Sequence, residues 1–286
     1  MRSLILLLLT AAVAHAAVSP EKIENIRGLL RDRKLAAAES AANALVAANP
    51  AEAEAYVLLG SVCVAKGDAD GAVKACEKAA ALAPANSECQ HQLGDAYGFA
   101  AQKAGMLSKL GWAKKCRLAY EKAVELDPGN LDARSSLMTF YQQAPGMMGG
   151  GIDKAYEQAA AIKQLDAARG GVAYATLYTG EKKFAEAFAE LEGILKTAPE
   201  NYGALYQFGR LTALTGERVD RGMEALKKCL MLPPPPGSPG HDAAQWRLGN
   251  LWEKKGDKSA ARAAYQAALA ITPNFPQAVD ALKKLD

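Results

Sequence analysis

Aromatic side chains are scarce in this 286-residue chain. Phenylalanine, tryptophan and tyrosine make up 7% of the residues, although half of the residues are hydrophobic. An all-β fold would carry more aromatic and β-branched residues in its strands, so the composition argues against one. Alanine, which has the highest helix propensity, is the most frequent residue. The composition therefore favours closely packed α-helices, and a charged fraction of 23% is ordinary for a globular protein.

Motifs for catalysis, metal binding and cofactor binding are also missing. The chain contains no G-x-S-x-G, H-E-x-x-H or G-x-G-x-x-G sequence. Cys89 and His91 would supply only part of a zinc site, which needs three or four ligands. We therefore predict no catalytic residues, no metal site and no cofactor, and keep an enzyme as the alternative of a different functional class. A net charge of +3 is too small for a general nucleic-acid-binding field, so no nucleic-acid partner is expected.

A long apolar run occurs at the start of the chain. Arg2 precedes the apolar residues 4–9, and an A-x-A site ends at Ala16. This pattern is typical of a secretory signal peptide, so we predict cleavage after Ala16 and no transmembrane segment in the remaining chain. The predicted location is periplasmic or secreted, in a bacterial style of export. Peripheral attachment to the membrane is the alternative.

A skeleton of about 34 residues returns several times after this leader. Most copies combine a small residue in the first helix, spaced alanines and a closing proline, and the two copies given below also contain a glycine–aspartate turn. The last copy contains Leu248, Gly249, Trp252, Gly256, Asp257, Ala261, Tyr265, Ala268 and Pro273. The second copy contains Leu59, Gly60, Cys63, Gly67, Asp68, Ala72, Cys76, Ala79 and Pro84. Small residues at fixed positions allow the two helices of one copy to touch.

This skeleton resembles the tetratricopeptide repeat (TPR), whose pattern is L-G-x2-Y, A-x3-F and P. The resemblance implies an all-α fold, a TPR α-solenoid. That is a right-handed superhelix of antiparallel helix pairs, here with a C-terminal capping helix at 276–286. We place the solenoid at 17–286. Its seven units lie at about 19–52, 53–86, 87–130 with an insertion, 131–167, 168–201, 202–236 and 242–275.

Three segments depart from the repeat. Residues 100–112 indicate either two lengthened helices that pack an extra apolar face, or a protruding basic partner site that carries Met106 and Trp112. Residues 144–151 lack the Lys-Ser/Thr of a phosphate-binding loop, so they predict a flexible or left-handed turn with methionines that could touch a partner. Residues 232–240 are proline-rich and predict a polyproline II spacer, with docking in an aromatic groove as the alternative.

The five cysteines occupy positions that do not face one another in the repeat geometry. We therefore predict mostly buried, unpaired thiols in place of the usual alanine or aromatic residue. They are Cys63, Cys76, Cys89, Cys116 and Cys229.

The resemblance also implies a working surface. TPR proteins mostly bind peptides or proteins along a concave groove lined by the first helix of each pair. TPR modules that grip a C-terminal carboxylate use lysine and asparagine at positions 5 and 9 of the first helices. Here only Arg210 and Asn250 fit, both at position 9, so a clamp of that type is rejected. The predicted partner-binding groove consists of His91, Asp95, Phe99, Thr139, Gln142, Tyr206, Arg210, Trp246 and Asn250.

The sequence therefore predicts a non-enzymatic scaffold or adaptor that binds a protein or peptide ligand and acts in the bacterial cell envelope. A structural component of an outer-membrane or secretion assembly is the alternative. The sequence assigns no oligomeric state.

Overall fold

A computed structural model describes residues 18–235 and 237–285. The predicted signal peptide, 1–16, and its cleavage site lie outside these residues. The chain divides into two compact modules. The N-terminal module ends at Ser136 and the C-terminal module begins at Leu137, and each is described by itself.

The described residues form fifteen α-helices and a short 3-10 helix, with no strand, so the all-α prediction is confirmed. In chain order the helices are α1 Pro20–Arg31, α2 Leu35–Ala48, α3 Ala53–Lys66, α4 Ala69–Leu82, α5 Ser87–Lys103, α6 Met106–Leu126, α7 Leu131–Gln143, α8 Ile152–Leu165, α9 Ala167–Gly180, α10 Phe184–Thr197, α11 Tyr202–Thr215, α12 Val219–Met231, α13 His241–Lys254, α14 Lys258–Ile271 and α15 Pro276–Leu285. No helix among the described residues is both long and apolar enough to cross a membrane.

The glycine–aspartate pairs make the turns between helices. Gly67 ends α3 in the left-handed region, at φ +84°, which a residue without a Cβ adopts at little cost. Asp68 then caps α4, because its carboxylate accepts a 2.9 Å hydrogen bond from the backbone N–H three residues ahead. Gly256, at φ +77°, and Asp257 repeat this arrangement between α13 and α14. Each short turn therefore ends one helix and begins the next.

The small residues of the skeleton sit where helices touch. In the N-terminal module, Gly94 of α5 lies against the Tyr120 ring of α6, and Gly60 of α3 lies against Cys76 of α4. A Cβ at either glycine would come within 3.0 Å of these side chains. Helix α1 packs through the buried Ile26 into a core shared with α2 and α3.

The helices of the C-terminal module also touch at small residues, and its core contains larger side chains. Its core includes Phe188 of α10 and Phe208 of α11, whose ring centroids lie 5.1 Å apart in an edge-on arrangement. Gly249 of α13 faces the fully buried Tyr265 of α14. Helix α15 covers α14 and buries Ala278, as expected of a capping helix.

The predicted insertion takes the form of a longer helical hairpin. Helix α5 has 17 residues and α6 has 21, whereas α3 and α4 have 14 each. The expected extra apolar face is not packed at its tip, because Met106 is 87% exposed and Leu107 is 94% exposed.

The two remaining departures are tied to the fold by hydrogen bonds. In the 144–151 turn, Gly149 adopts φ +87° and the Gly151 N–H donates to the Tyr141 carbonyl at 2.9 Å. In the proline-rich segment, the Tyr202 hydroxyl donates to the Pro239 carbonyl at 2.7 Å. Both segments are therefore anchored connections between helices.

The cysteines lie where the repeat pattern placed them. Four of them are buried and Cys63 is half-buried. Burial raises the pKa of the Cys76, Cys116 and Cys229 thiols to about 12. These three side chains therefore act as small apolar groups at neutral pH.

Candidate partner-binding surfaces

The N-terminal module gathers polar side chains around His91 of α5. The imidazole is buried, and its Nε2 lies 3.0 Å from the Ser136 hydroxyl. Asp95, one turn later, lies 3.6 Å from Nε2 and accepts a 2.6 Å hydrogen bond from the Tyr120 hydroxyl. Glu88, one turn earlier, lies 3.6 Å from Nδ1. Spacings of three and four residues put all three α5 side chains on one helix face.

The carboxylates control the protonation of this cluster. Burial disfavours the charged imidazole, but Glu88 and Asp95 outweigh that effect and raise the pKa of His91. The pKa of Glu88 is lowered, chiefly through its interaction with His91. Partial burial raises the pKa of Asp95, and His91 and the Tyr120 hydrogen bond only partly oppose this.

Two predicted residues of this module differ in accessibility from His91. The Asp95 side chain is 41% exposed and can reach a partner. Phe99, one turn further along α5, is half-buried, and the Lys103 ammonium lies 5.5 Å from its ring centroid. The accessible part of the predicted surface in this module is therefore Asp95 and Phe99, with His91 beneath.

In the C-terminal module, the two α7 residues have unequal roles. Thr139 is exposed. Gln142 is half-buried, and its Nε2 donates a 3.2 Å hydrogen bond to the Thr176 carbonyl of α9. Gln142 therefore links two first helices of consecutive pairs.

Tyr206 of α11 and Arg247 of α13 form the centre of a second surface. Tyr206 is buried, with 6% of its surface exposed, and its side chain interacts with that of Arg247. The Arg247 guanidinium stacks on the Trp246 ring, 3.9 Å from the ring centroid. Burial, with a smaller effect from the charge of Arg210, lowers the pKa of Arg247.

The two arginines of this surface have no carboxylate partner within the described chain. Arg210 hydrogen-bonds the Gln207 side chain at 3.0 Å. The Nε of Arg247 is buried and has no hydrogen-bond acceptor. Two neighbouring cations without an anion make this surface suited to a carboxylate from outside, since arginine binds carboxylates through paired N–H groups. We call Arg210 and Arg247, with Tyr206 and Gln207, the arginine surface.

Trp246 and Asn250 of α13 contact residues at the C-terminal end of the module. The Trp246 ring packs edge-on against Phe275 at 5.9 Å between centroids, beside the capping helix. Asn250 donates a 2.8 Å hydrogen bond to the Tyr265 hydroxyl, which also donates to Glu253. Both side chains are half-buried, so each combines a structural contact with an accessible edge.

A separate groove of about 630 Å³ lies among α8, α9 and α10. Its floor is made of small side chains such as Ala168, Ala189 and Gly193. The ion pair of Lys163 and Glu190, 3.1 Å apart, lies beside it. It contains none of the nine predicted residues.

The sequence prediction missed Arg247 and Gln207 as members of a surface. Neither stands at a repeat position that usually faces the groove in the resembled family. One signal was available for Arg247, which directly follows Trp246 in the chain. Its contact with Tyr206 depends on how two different helix pairs pack, and a single repeat pattern does not specify that.

Comparisons with known proteins agree with this architecture. Three family models, each described as tetratricopeptide repeat, match residues 24–87, 97–130 and 243–275. No curated protein sequence matches the chain.

Solved structures show the same fold at low identity. A tetratricopeptide repeat protein from Parabacteroides merdae is 17% identical with a TM-score of 0.60, over 93% of this chain and 97% of that one. A thermophilic TPR protein of Thermus thermophilus is 18% identical with a TM-score of 0.54, over 74% and 98%. A chain of the APC/C hetero-tetramer Cut9–Hcn1 is 16% identical with a TM-score of 0.56, over 92% and 48%.

Proposed function

We propose that this chain, a protein of tetratricopeptide repeats with the all-α TPR fold, is a non-enzymatic scaffold or adaptor that binds a protein or peptide. The repeats support a role in protein interaction, and one of the similar structures is a hetero-tetramer. Fold alone does not name a partner, so the proposal depends on particular side chains.

The observation that carries the proposal is the arginine surface. The charge of Arg210 contributes to the lowered pKa of Arg247, so the two side chains are neighbours, and neither pairs with a carboxylate in the described residues. An aspartate or glutamate side chain of a bound peptide would supply that missing anion. Trp246, stacked beneath the Arg247 guanidinium, adds an aromatic contact of the type that often dominates binding energy.

We further propose that the scaffold acts in the bacterial cell envelope. The support is the leader pattern, with Arg2, an apolar run and an A-x-A site. A structural role in an outer-membrane or secretion assembly is the second form of this proposal. Fractionation separates the two, because a freely soluble periplasmic pool favours the scaffold and salt-resistant membrane association favours the assembly.

Crosslinking in the native cells, followed by mass spectrometry of the captured partners, tests the binding function. The informative variant is Arg210→Gln combined with Arg247→Gln, which removes both cations but keeps polar side chains. We expect recovery of the principal partner to fall about tenfold or more, as for the loss of charged interface contacts.

The matched control is Arg218→Gln combined with Arg221→Gln in the same module. These arginines already pair with Glu192, and exposed ion pairs of this kind contribute little to stability. Circular dichroism confirms that both double variants are folded. Equal partner recovery in the two variants, whether high or low, would contradict the assignment of the arginine surface.

A further inference from the structure

The tip of the α5–α6 hairpin extends beyond its neighbours. Compared with α3 and α4, α5 has three additional residues and α6 has seven. At 1.5 Å per residue this amounts to roughly 5 to 10 Å of additional helix. The chain turns at Gly105, where a Cβ would meet no atom within 4 Å. The tip is therefore a convex projection surrounded by solvent.

Large apolar side chains cover this tip. Met106 is 87% exposed, Leu107 is 94% exposed and Leu110 is 48% exposed. The three side chains lie within five residues at the start of α6. Such a group of exposed apolar residues marks an interaction site more often than a solvated helix face.

The segment of sequence that forms the tip carries charge of one sign. No aspartate or glutamate occurs between Asp95 and Glu121, whereas five lysine and arginine residues do. Lys109 and Lys114 are exposed and have no carboxylate within 4.0 Å among the described residues. Lysine side chains are long and flexible. They can therefore keep their ammonium groups in water while neighbouring apolar side chains are buried.

An aromatic layer lies directly behind the lysines. The Trp112 and Tyr97 rings pack 5.7 Å apart, and the Lys115 ammonium lies 4.7 Å from the Trp112 centroid. Phe99 of α5 is a separate aromatic side chain, and the Lys103 ammonium lies 5.5 Å from its ring centroid. The order from the tip is therefore apolar side chains, cations and then aromatic rings.

We propose that this hairpin tip docks on the surface of an anionic lipid bilayer. Met106 and Leu107 enter the boundary between headgroups and acyl chains, and Lys103, Lys109 and Lys114 contact anionic headgroups. Apolar side chains beside exposed lysines are the combination that binds such surfaces. The convex shape favours a bilayer over a peptide, because the tip offers no groove to hold a chain.

Lysine footprinting tests whether the hairpin tip contacts the bilayer. It reports on each lysine separately, so membrane binding through another part of the protein does not give the same result. The full chain is acetylated with and without vesicles, and peptide mass spectrometry reports the modification of each lysine. We expect vesicles of phosphatidylglycerol and phosphatidylcholine to slow acetylation of Lys109 and Lys114 about tenfold, while phosphatidylcholine alone has no such effect. Lys258, at the start of α14, serves as the internal reference.

Two variants locate the effect. Met106→Ser combined with Leu107→Ser should abolish the protection of Lys109 and Lys114, since both apolar side chains are removed from an exposed position. Met147→Ser, which alters another methionine that is 87% exposed but lies in the C-terminal module, should leave it intact. Protection that is absent, equal with phosphatidylcholine, uniform across all lysines or unchanged in the double variant overturns the proposal. Capture of a protein at the tip without vesicle protection would assign it to a protein partner instead.

Discussion

The ring of Tyr265 packs directly on the backbone of Gly249, so that a Cβ at position 249 would come within 3.0 Å of three ring atoms. Tyr265 is fully buried and has little room to move. Gly249→Ala should therefore destabilise the protein by about 1 to 3 kcal/mol, the usual range for overpacking a tight contact.

Gly193 of α10 provides the matched control for this change, because no atom lies within 4 Å of its added Cβ. Gly193→Ala should stabilise the protein by about 0.5 to 1 kcal/mol through the loss of glycine flexibility. Urea unfolding followed by circular dichroism measures the free energy of unfolding of both variants. Hydrogen exchange of α13 and α14 detects a local loss of stability in this helix pair. If Gly249→Ala left the free energy of unfolding unchanged, α13 and α14 would be packed less tightly here than the contact indicates.

Alkylation should distinguish the five thiols. At neutral pH, Cys76, Cys116 and Cys229 carry almost no thiolate, since burial raises each pKa to about 12. Cys63 is half-buried, so iodoacetamide should modify it first in the folded protein. A time course by peptide mass spectrometry, with urea-unfolded protein as the control in which all five react, gives the order. Modification of Cys229 as rapidly as Cys63 would contradict it.

His91 should make stability depend on pH. Its pKa is raised in the folded state by Glu88 and Asp95, against the effect of burial. The stabilising contribution is thus complete below the unfolded value of about 6.5 and is lost as the pH rises through the higher folded pKa. The stability difference between the native chain and His91→Gln should be larger at pH 6 than at pH 8. NMR titration of the ring checks the direction of the pKa shift independently.

The proline-rich connection should depend on Tyr202. Its hydroxyl donates a 2.7 Å hydrogen bond to the Pro239 carbonyl, and Tyr202→Phe should cost about 1 kcal/mol. Proteolysis within 232–240 should become faster than in the native chain. Tyr174→Phe, which removes a hydroxyl with no hydrogen bond in the described part of the chain, should change neither quantity.

Much of this fold could be predicted because its determinants are local. Gly67 and Asp68 specify a helix end and the next helix start through backbone conformation and one capping hydrogen bond. Gly94 predicts a close helix contact, and Tyr120 fills it from the paired helix. These requirements recur at fixed spacing, so a single sequence displays them.

The surfaces were harder to predict because they depend on contacts between different pairs. Tyr206 was predicted as a groove residue, yet the structure buries it beneath Arg247 from another helix pair. Trp246 likewise packs against Phe275 near the cap. At residues 106–110 the apolar spacing fitted a packed face, but the longer hairpin extends them past any helix that could cover them. Burial of these side chains is decided by neighbours that are distant in sequence.

The acid-free stretch of the α5–α6 hairpin also gives the N-terminal module an uneven distribution of charge. Residues 18–136 carry fifteen basic and fifteen acidic side chains, so this part of the chain is neutral as a whole. Five of the basic residues lie between Asp95 and Glu121, which leaves ten basic against fifteen acidic residues elsewhere in the module. The module is therefore an electric dipole with one cationic end. An approaching anionic surface would exert a torque that turns this end forward before contact.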